Sequence, residues 1–180
     1  MEVCEGQALD KEFENDLSIT EEQYLEMIEK KTGSLLGACA ALPATLVDAE
    51  QEVIDDFDQF GRALGNGFQI HDDLLEIYGD PIEMGKSLGS DIVEGKQTMM
   101  AIKARNLFGK EWSELIGDSD RINFMDEIRC FFTENGIENE TKGLAQKYFD
   151  SARNSLKKID GINCSDLFDF INFFLPRLRD

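Results

Sequence analysis

Residues 67–80, with the sequence GFQIHDDLLEIYGD, place three carboxylates inside an apolar helical pattern. On a helix, Asp72 and Glu76 are four residues apart and Asp73 and Glu76 three, so all three side chains point broadly one way. Gln69, one turn before Asp72, shares that direction. Carboxylates crowded on one face repel each other, and a hard divalent cation such as Mg²⁺ removes the repulsion. The alternative is a solvated acidic face, which would not need apolar flanking residues.

Two lysines, Lys86 and Lys96, follow this acidic segment in a glycine-rich stretch. Carboxylates that hold a metal, together with ammonium groups on a glycine-rich backbone, are typical of a site for a diphosphate and Mg²⁺. The metal would lie on one side of the phosphates and the ammonium groups on the other. This pairing favours the metal-site interpretation over the solvated face.

Two earlier segments offer further polar groups. Lys31 and Thr32, in the middle of a predicted helix, supply a cation and a hydroxyl, although Lys31 taken alone would be interpreted as a surface lysine. Gln7 and Asp10 lie about one turn apart near the start of the chain and are weak candidates by themselves.

Three competing motifs have simpler interpretations. The GKS sequence at residues 85–87 lacks the glycine spacing of a phosphate-binding P-loop, and no predicted strand precedes it. The His-Asp pair at residues 71–72 resembles that of the all-α phosphohydrolases, but the chain has one histidine, which we interpret as a packing or supporting residue. Asp55, Asp56 and Asp58 lie near the start of their helix, where acids favour the helix dipole, and we interpret them as solvated.

The elements that must position these residues are helices, because helical spacing recurs and alternating strand patterns are absent. Thr20 and Gln23 form a capping box before the first long helix, and Pro43 is expected to end it. The last helix is apolar on most sides and is expected to be largely buried. The fold class is therefore all-α, with predicted helices at residues 20–42, 49–77, 96–107, 121–135, 139–159 and 165–178.

Three glycines, Gly61, Gly65 and Gly67, fall inside the second long helix. Glycine in a helix interior costs about 1 kcal/mol relative to alanine, so three of them need a compensating reason. We expect another helix or a ligand to approach the backbone closely at this point.

Composition excludes several classes of function. The 180 residues are 42% hydrophobic and form one predicted domain, residues 1–180. The formal charge is −19, with 16 acids and 3 bases in residues 1–60, so nucleic acid and anionic membrane are not expected partners. The four cysteines form no C-x-x-C pair, which disfavours a zinc site or a disulfide framework. No apolar run approaches 18 residues and no signal peptide is present, so we expect no membrane insertion and a cytoplasmic location.

Four motifs in order give the chain a resemblance to the trans-isoprenyl diphosphate synthases, or polyprenyl synthetases. GQALD resembles the G-Q-x-x-D motif of that family, KKTGSLLGACA its K-T-x-x-L segment, GNGFQIHDDLLEIYGD its F-Q-x-x-D-D-x-x-D motif, and GKSLGSDIVEGKQT its glycine-lysine loop. The resemblance covers most of residues 1–105, whereas residues 106–180 match only in being helical. It implies a helical bundle of the isoprenoid synthase type.

The resemblance also implies an activity, which is Mg²⁺-dependent condensation of an allylic diphosphate with isopentenyl diphosphate. The metal ligands would be Asp72 and Asp73, with Glu76 at the third acidic position, and Asp91 would order the lysine loop. The catalytic residues would be Lys31, Asp72, Asp73 and Lys86. The substrate-binding residues would be Gln7, Asp10, Lys31, Thr32, Phe68, Gln69, Lys86 and Lys96.

Two departures from the family pattern limit this expectation. Glu76 stands where the family usually has aspartate, and its arm is one methylene longer. The sequence also has no second Asp-rich motif with following arginines, which the family places on earlier helices with the isopentenyl diphosphate site. Since the first residues already read as a helix interior, we expect a C-terminal part that lacks its N-terminal helices and is inactive alone.

A chain of this kind would bind isopentenyl diphosphate only if an N-terminal half were supplied. It would form a homo-oligomer or a complex with a complementary chain, because missing helices leave apolar surface exposed. The alternative is a non-catalytic subunit or scaffold that binds a partner synthase.

Overall fold

The computed structural model describes residues 1–79, 88–117, 119 and 122–174, and their regular structure is helical, as the sequence predicts. The elements are α1 Glu2–Glu12, α2 Glu21–Ile28, a π-helical turn Glu29–Gly33, α3 Ser34–Leu46, α4 Gln51–Tyr78, α5 Ser90–Val93, α6 Met99–Ile116, α7 Phe124–Glu134, α8 Ile137–Lys158 and α9 Ser165–Phe174. None of the helices described is long and apolar enough to cross a membrane.

The capping box predicted at Thr20 is confirmed. The Thr20 hydroxyl accepts a hydrogen bond from the Gln23 backbone amide at 3.2 Å, and the Gln23 side chain accepts one from the Thr20 amide at 2.9 Å. Two orphan donors at the start of α2 are thereby satisfied. The helix that follows is interrupted by the π-helical turn, which the sequence pattern did not reveal.

The prediction that Pro43 ends the helix was wrong. Helix α3 continues through Pro43 to Leu46. Proline removes one backbone donor, but the next residue, Ala44, is buried, and the Thr45 hydroxyl donates to the Ala41 carbonyl at 3.0 Å. Burial and this local bond hold the final turn despite the missing amide.

Helix α4 is the centre of the fold and packs between α3 and α8. A Cβ placed on Gly61 would lie 2.2 Å from the Leu36 carbonyl oxygen of α3, and one on Gly67 would lie 3.1 Å from the Phe149 ring of α8. The close approach predicted from the glycines is therefore confirmed on both sides of α4. Glycine raises the entropy cost of forming α4, and the tight packing of α3 and α8 against it offsets that cost.

The second acidic cluster is not a solvated face throughout, so that interpretation was wrong for Asp56. Asp56 is buried and accepts from Lys158 Nζ of α8 at 3.3 Å, and Asp58 pairs with Arg62 at 2.7 Å. Lys158 lies far along the chain, so local spacing could not reveal this pair. His71 is buried in α4, which agrees with its interpretation as a packing residue.

The expectation that α9 is largely buried was also wrong. Ile171 is fully buried, whereas Phe170 and Phe173 are 50% and 57% exposed. Helix α9 packs against α8, so only one face of it is covered. A helix that is apolar on several sides is suited to burial. How much of it is buried depends on how many other helices pack against it.

Two matched substitutions test the packing of α4. Gly61→Ala should lower the free energy of unfolding by roughly 1–3 kcal/mol, because its methyl group meets α3 backbone. Gly143→Ala, in α8, meets nothing within 4 Å and should raise stability by about 0.5–1 kcal/mol. Urea unfolding followed by circular dichroism measures both, and equal shifts of one sign would contradict the close approach.

Candidate functional site

A cavity of about 220 Å³ lies where α1, α2, the π-helical turn, α4 and the segment around α5 meet. Phe13, Met27 and Ile28 form its apolar wall. The structure brings seven of the residues that the sequence singled out to its lining: Asp10, Lys31, Gln69, Asp72, Asp73, Asp91 and Lys96. These residues come from four separate segments, so the cavity is a product of the tertiary fold.

Asp73 is the most constrained carboxyl group in the cavity. It is 6% exposed, and its two oxygens accept hydrogen bonds from Tyr24 Oη at 2.7 Å and from Gln69 Nε2 at 3.2 Å. Burial raises the pKa of Asp73 to about 7, the bonds from Tyr24 and Gln69 oppose that rise, and the charges of Asp91 and Asp72 add to it. This carboxyl group therefore gains or loses its proton near neutral pH. A cation bound beside it would favour the ionised form.

Tyr24 is a site residue that sequence reasoning missed. It is 2% exposed, and burial followed by the Asp73 charge raises the pKa of its hydroxyl well above the ordinary value, so it remains a donor. The signal was spacing, because Tyr24, Ile28 and Lys31 follow a 4-3 pattern along one face. Nothing in the residue type alone marks a tyrosine as the partner of a distant aspartate.

The π-helical turn sets the direction of the Lys31 and Thr32 side chains. Lys31 Nζ donates to Asp10 at 2.8 Å, and the Thr32 hydroxyl donates to Gln69 Oε1 at 3.0 Å. A π-helical turn carries one more residue per hydrogen-bonded ring than an α-helix, which changes the direction of its side chains. Gly6 lets α1 approach this turn, since a Cβ there would lie 2.3 Å from the Lys31 amide nitrogen.

Lys96 reaches the cavity from the segment after α5. Its Nζ donates to Asp91 at 2.6 Å, and this bond raises the pKa of Lys96. The two residues are also joined through the backbone, where the Lys96 amide donates to the Asp91 carbonyl at 2.9 Å. Asp91 therefore bonds both the side chain and the backbone of Lys96.

Other predicted residues lie outside the cavity lining. Glu76 is 1% exposed and accepts a hydrogen bond from the Ser90 hydroxyl at 2.7 Å, so its carboxylate joins α4 to α5. Thr32 is hydrogen-bonded to the lining residue Gln69, and Gln7 and Phe68 are exposed. Lys86 lies outside the described residues.

The charge balance of the cavity favours a cation. Among the residues that the structure describes, the lining holds four carboxyl groups and two lysines, and each lysine is paired with a carboxylate, Lys31 with Asp10 and Lys96 with Asp91. Two negative charges remain when all six groups are ionised. An anion is repelled unless cations enter with it.

The donor set suits Mg²⁺ that shares its coordination with another ligand. Over the described part of the chain, no three His, Cys, Asp or Glu side chains are grouped so as to hold a metal by themselves. Mg²⁺ usually binds through one or two carboxylates, keeps several waters and takes the remaining oxygens from a phosphate. Asp72 and Asp73 fit that requirement.

The raised pKa of Asp73 predicts a pH-dependent stability in metal-free protein. The folded state binds this proton more tightly than the unfolded chain, whose aspartates ionise near 4, so the contribution to stability falls as pH rises from about 4 to 7. Asp73→Asn should remove that decline. Urea unfolding in chelator at several pH values measures it, with exposed Asp166→Asn as the control that keeps the wild-type slope.

Comparison with known proteins identifies several similar chains. The family model described as "Polyprenyl synthetase" matches residues 1–123. The geranylgeranyl pyrophosphate synthase of Geoglobus acetivorans is 39% identical over 166 residues, which is 89% of this chain and 50% of that protein. The chain thus spans about half the length of this curated relative.

Solved structures agree with the sequence match. A decaprenyl diphosphate synthase from Rhodobacter capsulatus superposes with a TM-score of 0.88 at 28% identity, covering 99% of this chain and 57% of that one. A polyprenyl synthase from Caulobacter crescentus, complexed with calcium and isoprenyl diphosphate, gives a TM-score of 0.80 at 25% identity, covering 98% and 54%.

Proposed function

Because the chain belongs to the polyprenyl synthetase family, we propose that its cavity binds the diphosphate group of an allylic isoprenyl diphosphate together with Mg²⁺. The observation that carries the proposal is the meeting of an aspartate pair, Asp72 and Asp73, with Lys31 and Lys96 around one cavity. The Caulobacter crescentus relative was solved with a divalent cation and an isoprenyl diphosphate, which supports the same chemistry here.

We assign the metal contacts to Asp72 and Asp73. Tyr24 and Gln69 hold the Asp73 carboxyl group in place, so its oxygens are oriented before any ligand arrives. Glu76 is left out of this set, because it is bonded to Ser90 away from the cavity lining. The longer arm at this third acidic position therefore serves to attach α5 to α4.

We assign the phosphate contacts to Lys31 and Lys96. Each lysine would exchange its present carboxylate partner for a phosphate oxygen when the ligand binds, and Asp10 and Asp91 hold the two ammonium groups in place until then. Lys86 is proposed as a third contact from the sequence motif alone.

The chemistry that this arrangement supports is loss of diphosphate from an allylic carbon. Asp72 and Asp73 would hold Mg²⁺, which would supply positive charge for the departing diphosphate. Lys31 and Lys96 donate hydrogen bonds to oxygens whose negative charge grows as the carbon–oxygen bond breaks, which lowers the barrier most strongly in a site shielded from water. In the family's reaction the allylic cation is attacked by the double bond of isopentenyl diphosphate, and a proton is then lost.

We propose that residues 1–180 alone bind the allylic diphosphate but do not suffice for condensation. It spans about half the length of its relatives, and its sequence lacks the second Asp-rich motif with following arginines. Within the described part of the chain, the lining of the cavity also has no arginine for a second diphosphate.

Metal-dependent binding is tested with pyrophosphate and isothermal titration calorimetry. Wild-type protein should bind pyrophosphate with Mg²⁺ and not in chelator, because the cavity is negative without the metal. Asp72→Ala should weaken binding roughly ten- to a hundredfold. Asp55→Ala removes an exposed acid of the same helix and should leave binding unchanged. Absence of Mg²⁺-dependent binding in wild type would favour a non-catalytic subunit.

Condensation is tested with geranyl or dimethylallyl diphosphate, labelled isopentenyl diphosphate and Mg²⁺. The chain alone should give no prenyl product above the level of Asp72→Ala, although it binds pyrophosphate. Robust product formation by the chain alone would overturn the claim that residues 1–180 do not suffice for condensation and leave the diphosphate site intact.

A further inference from the structure

A second cavity, of about 200 Å³, lies between the loop that joins α1 to α2, the segment around α5, and helix α6. We call it the Arg105 cavity, after the arginine of α6 that lines it. An engineered cavity of about 150 Å³ binds benzene, so this volume suits about one aromatic ring with a short substituent. Much of its wall is apolar and is formed by Leu17, Ile92, Ala101, Trp112 and Ile116.

The charge of the Arg105 cavity is opposite to that of the chain. The formal charge of the 180 residues is −19. The described residues that line this cavity nevertheless include two cations, Lys96 and Arg105, and no carboxylate. Lys96 is already paired with Asp91 at 2.6 Å. The guanidinium of Arg105 therefore supplies the positive charge that remains unbalanced in this cavity.

Arg105 forms no ion pair with any residue that the structure describes. Its two terminal nitrogens donate to the Gln97 side-chain oxygen and to the Ile19 carbonyl oxygen, and both acceptors are neutral. Arginine has five N–H donors, so these two bonds leave further donors for a ligand. Other described arginines contact carboxylates, namely Arg62, Arg129 and Arg153.

Burial makes this isolated cation costly. It lowers the pKa of Arg105, and the charge of Asp16 opposes that change. Asp16 is bonded to the amide and the hydroxyl of Ser18 instead. Because arginine stays charged in proteins, the guanidinium has lost part of its water without gaining a carboxylate contact. An anion bound in the cavity would supply that contact.

The surrounding structure fixes the cation and the apolar wall before any ligand binds. Gln97 is 9% exposed, and its Nε2 donates to the Gly95 carbonyl at 2.8 Å, which leaves its oxygen to accept from Arg105. Trp112 is 4% exposed and stacks on Phe132 of α7, with ring centroids 5.3 Å apart. A site organised in this way loses little conformational freedom when a ligand enters.

We propose that the Arg105 cavity binds a small monocarboxylate, with the carboxylate on the guanidinium and an apolar body of about one ring against Trp112. One unbalanced positive charge suits a monoanion better than a diphosphate, which carries several negative charges. The planar guanidinium also presents paired donors that match the two oxygens of a carboxylate. Lys96 and Gln97 line both this cavity and the one proposed for diphosphate, so the two ligands would be neighbours. Binding here requires neither Mg²⁺ nor phosphate.

The direct test compares phenylacetate with phenylacetamide, its neutral analogue, in the presence of a chelator. Trp112 is the single tryptophan of the chain and lines the cavity, so its fluorescence reports occupancy. Phenylacetate should change the emission of wild-type protein saturably and bind at least about tenfold tighter than phenylacetamide, because only the acid pairs with the guanidinium. High salt should reduce that difference.

Substitutions on two sides of the cavity locate the ligand. Arg105→Gln removes the charge and should weaken phenylacetate binding by about tenfold or more, whereas Arg105→Lys keeps the charge and should lose less. Leu17→Asn, at a lining leucine that is 65% exposed, should weaken binding about threefold or more and spare the fold. Leu107→Asn, 61% exposed on α6 outside the lining, is the matched control and should bind as wild type. Circular dichroism checks that each variant is folded.

Three outcomes contradict the proposal. Wild-type protein that shows no saturable change with phenylacetate has no such site. Equal affinities for phenylacetate and phenylacetamide would mean that the guanidinium does not bind the carboxylate. Binding that neither Arg105→Gln nor Leu17→Asn weakens would place the ligand outside the Arg105 cavity.

Discussion

The arrangement depends on one buried carboxyl group. Taking the Asp73 charge out of water is costly, and the cost is limited by two hydrogen bonds, from Tyr24 of α2 and Gln69 of α4, and by partial protonation near neutral pH. Because Tyr24 must reach Asp73, α2 is held against α4. The π-helical turn after α2 then brings Lys31 to the same cavity. The hydrogen bonding of the buried Asp73 carboxyl group thus determines how the segments that form the site are placed relative to one another.

The close helix packing around α4 makes that placement possible. Gly61 and Gly67 allow α3 and α8 to approach α4 from two sides, and Gly6 allows α1 to approach the π-helical turn. A rigid support of this kind holds charged groups at fixed distances without a ligand to organise them. The lysines in turn are held by acids, Lys31 by Asp10 and Lys96 by Asp91. The resulting cavity is polar and ordered, and it carries an excess of negative charge. Metal ions that enter with a phosphate ligand can neutralise that excess.

The helical fold class could be predicted from residue spacing, the candidate site residues came from residue types and the motif resemblance, and the errors about local structure have a common origin. Helix periodicity located the long helices, because it is a local property. Pro43 did not end α3, because buried contacts compensate for one lost hydrogen bond. Asp56 is not solvated, because a lysine of α8 pairs with it. In each case a residue distant in sequence, or a packed surface, changed the outcome.

The sequence by itself determined that the chain is helical, that it is strongly acidic, and that aspartates, lysines and glycines follow each other in the order of the polyprenyl synthetase motifs. Those properties follow from residue types and short spacings. Tertiary structure alone decided that Tyr24 holds Asp73, that Glu76 supports α5, and that the lysines are paired with acids inside the cavity. The physical reason is that hydrogen bonding, burial and charge pairing depend on which surfaces meet, and helical periodicity leaves that choice open.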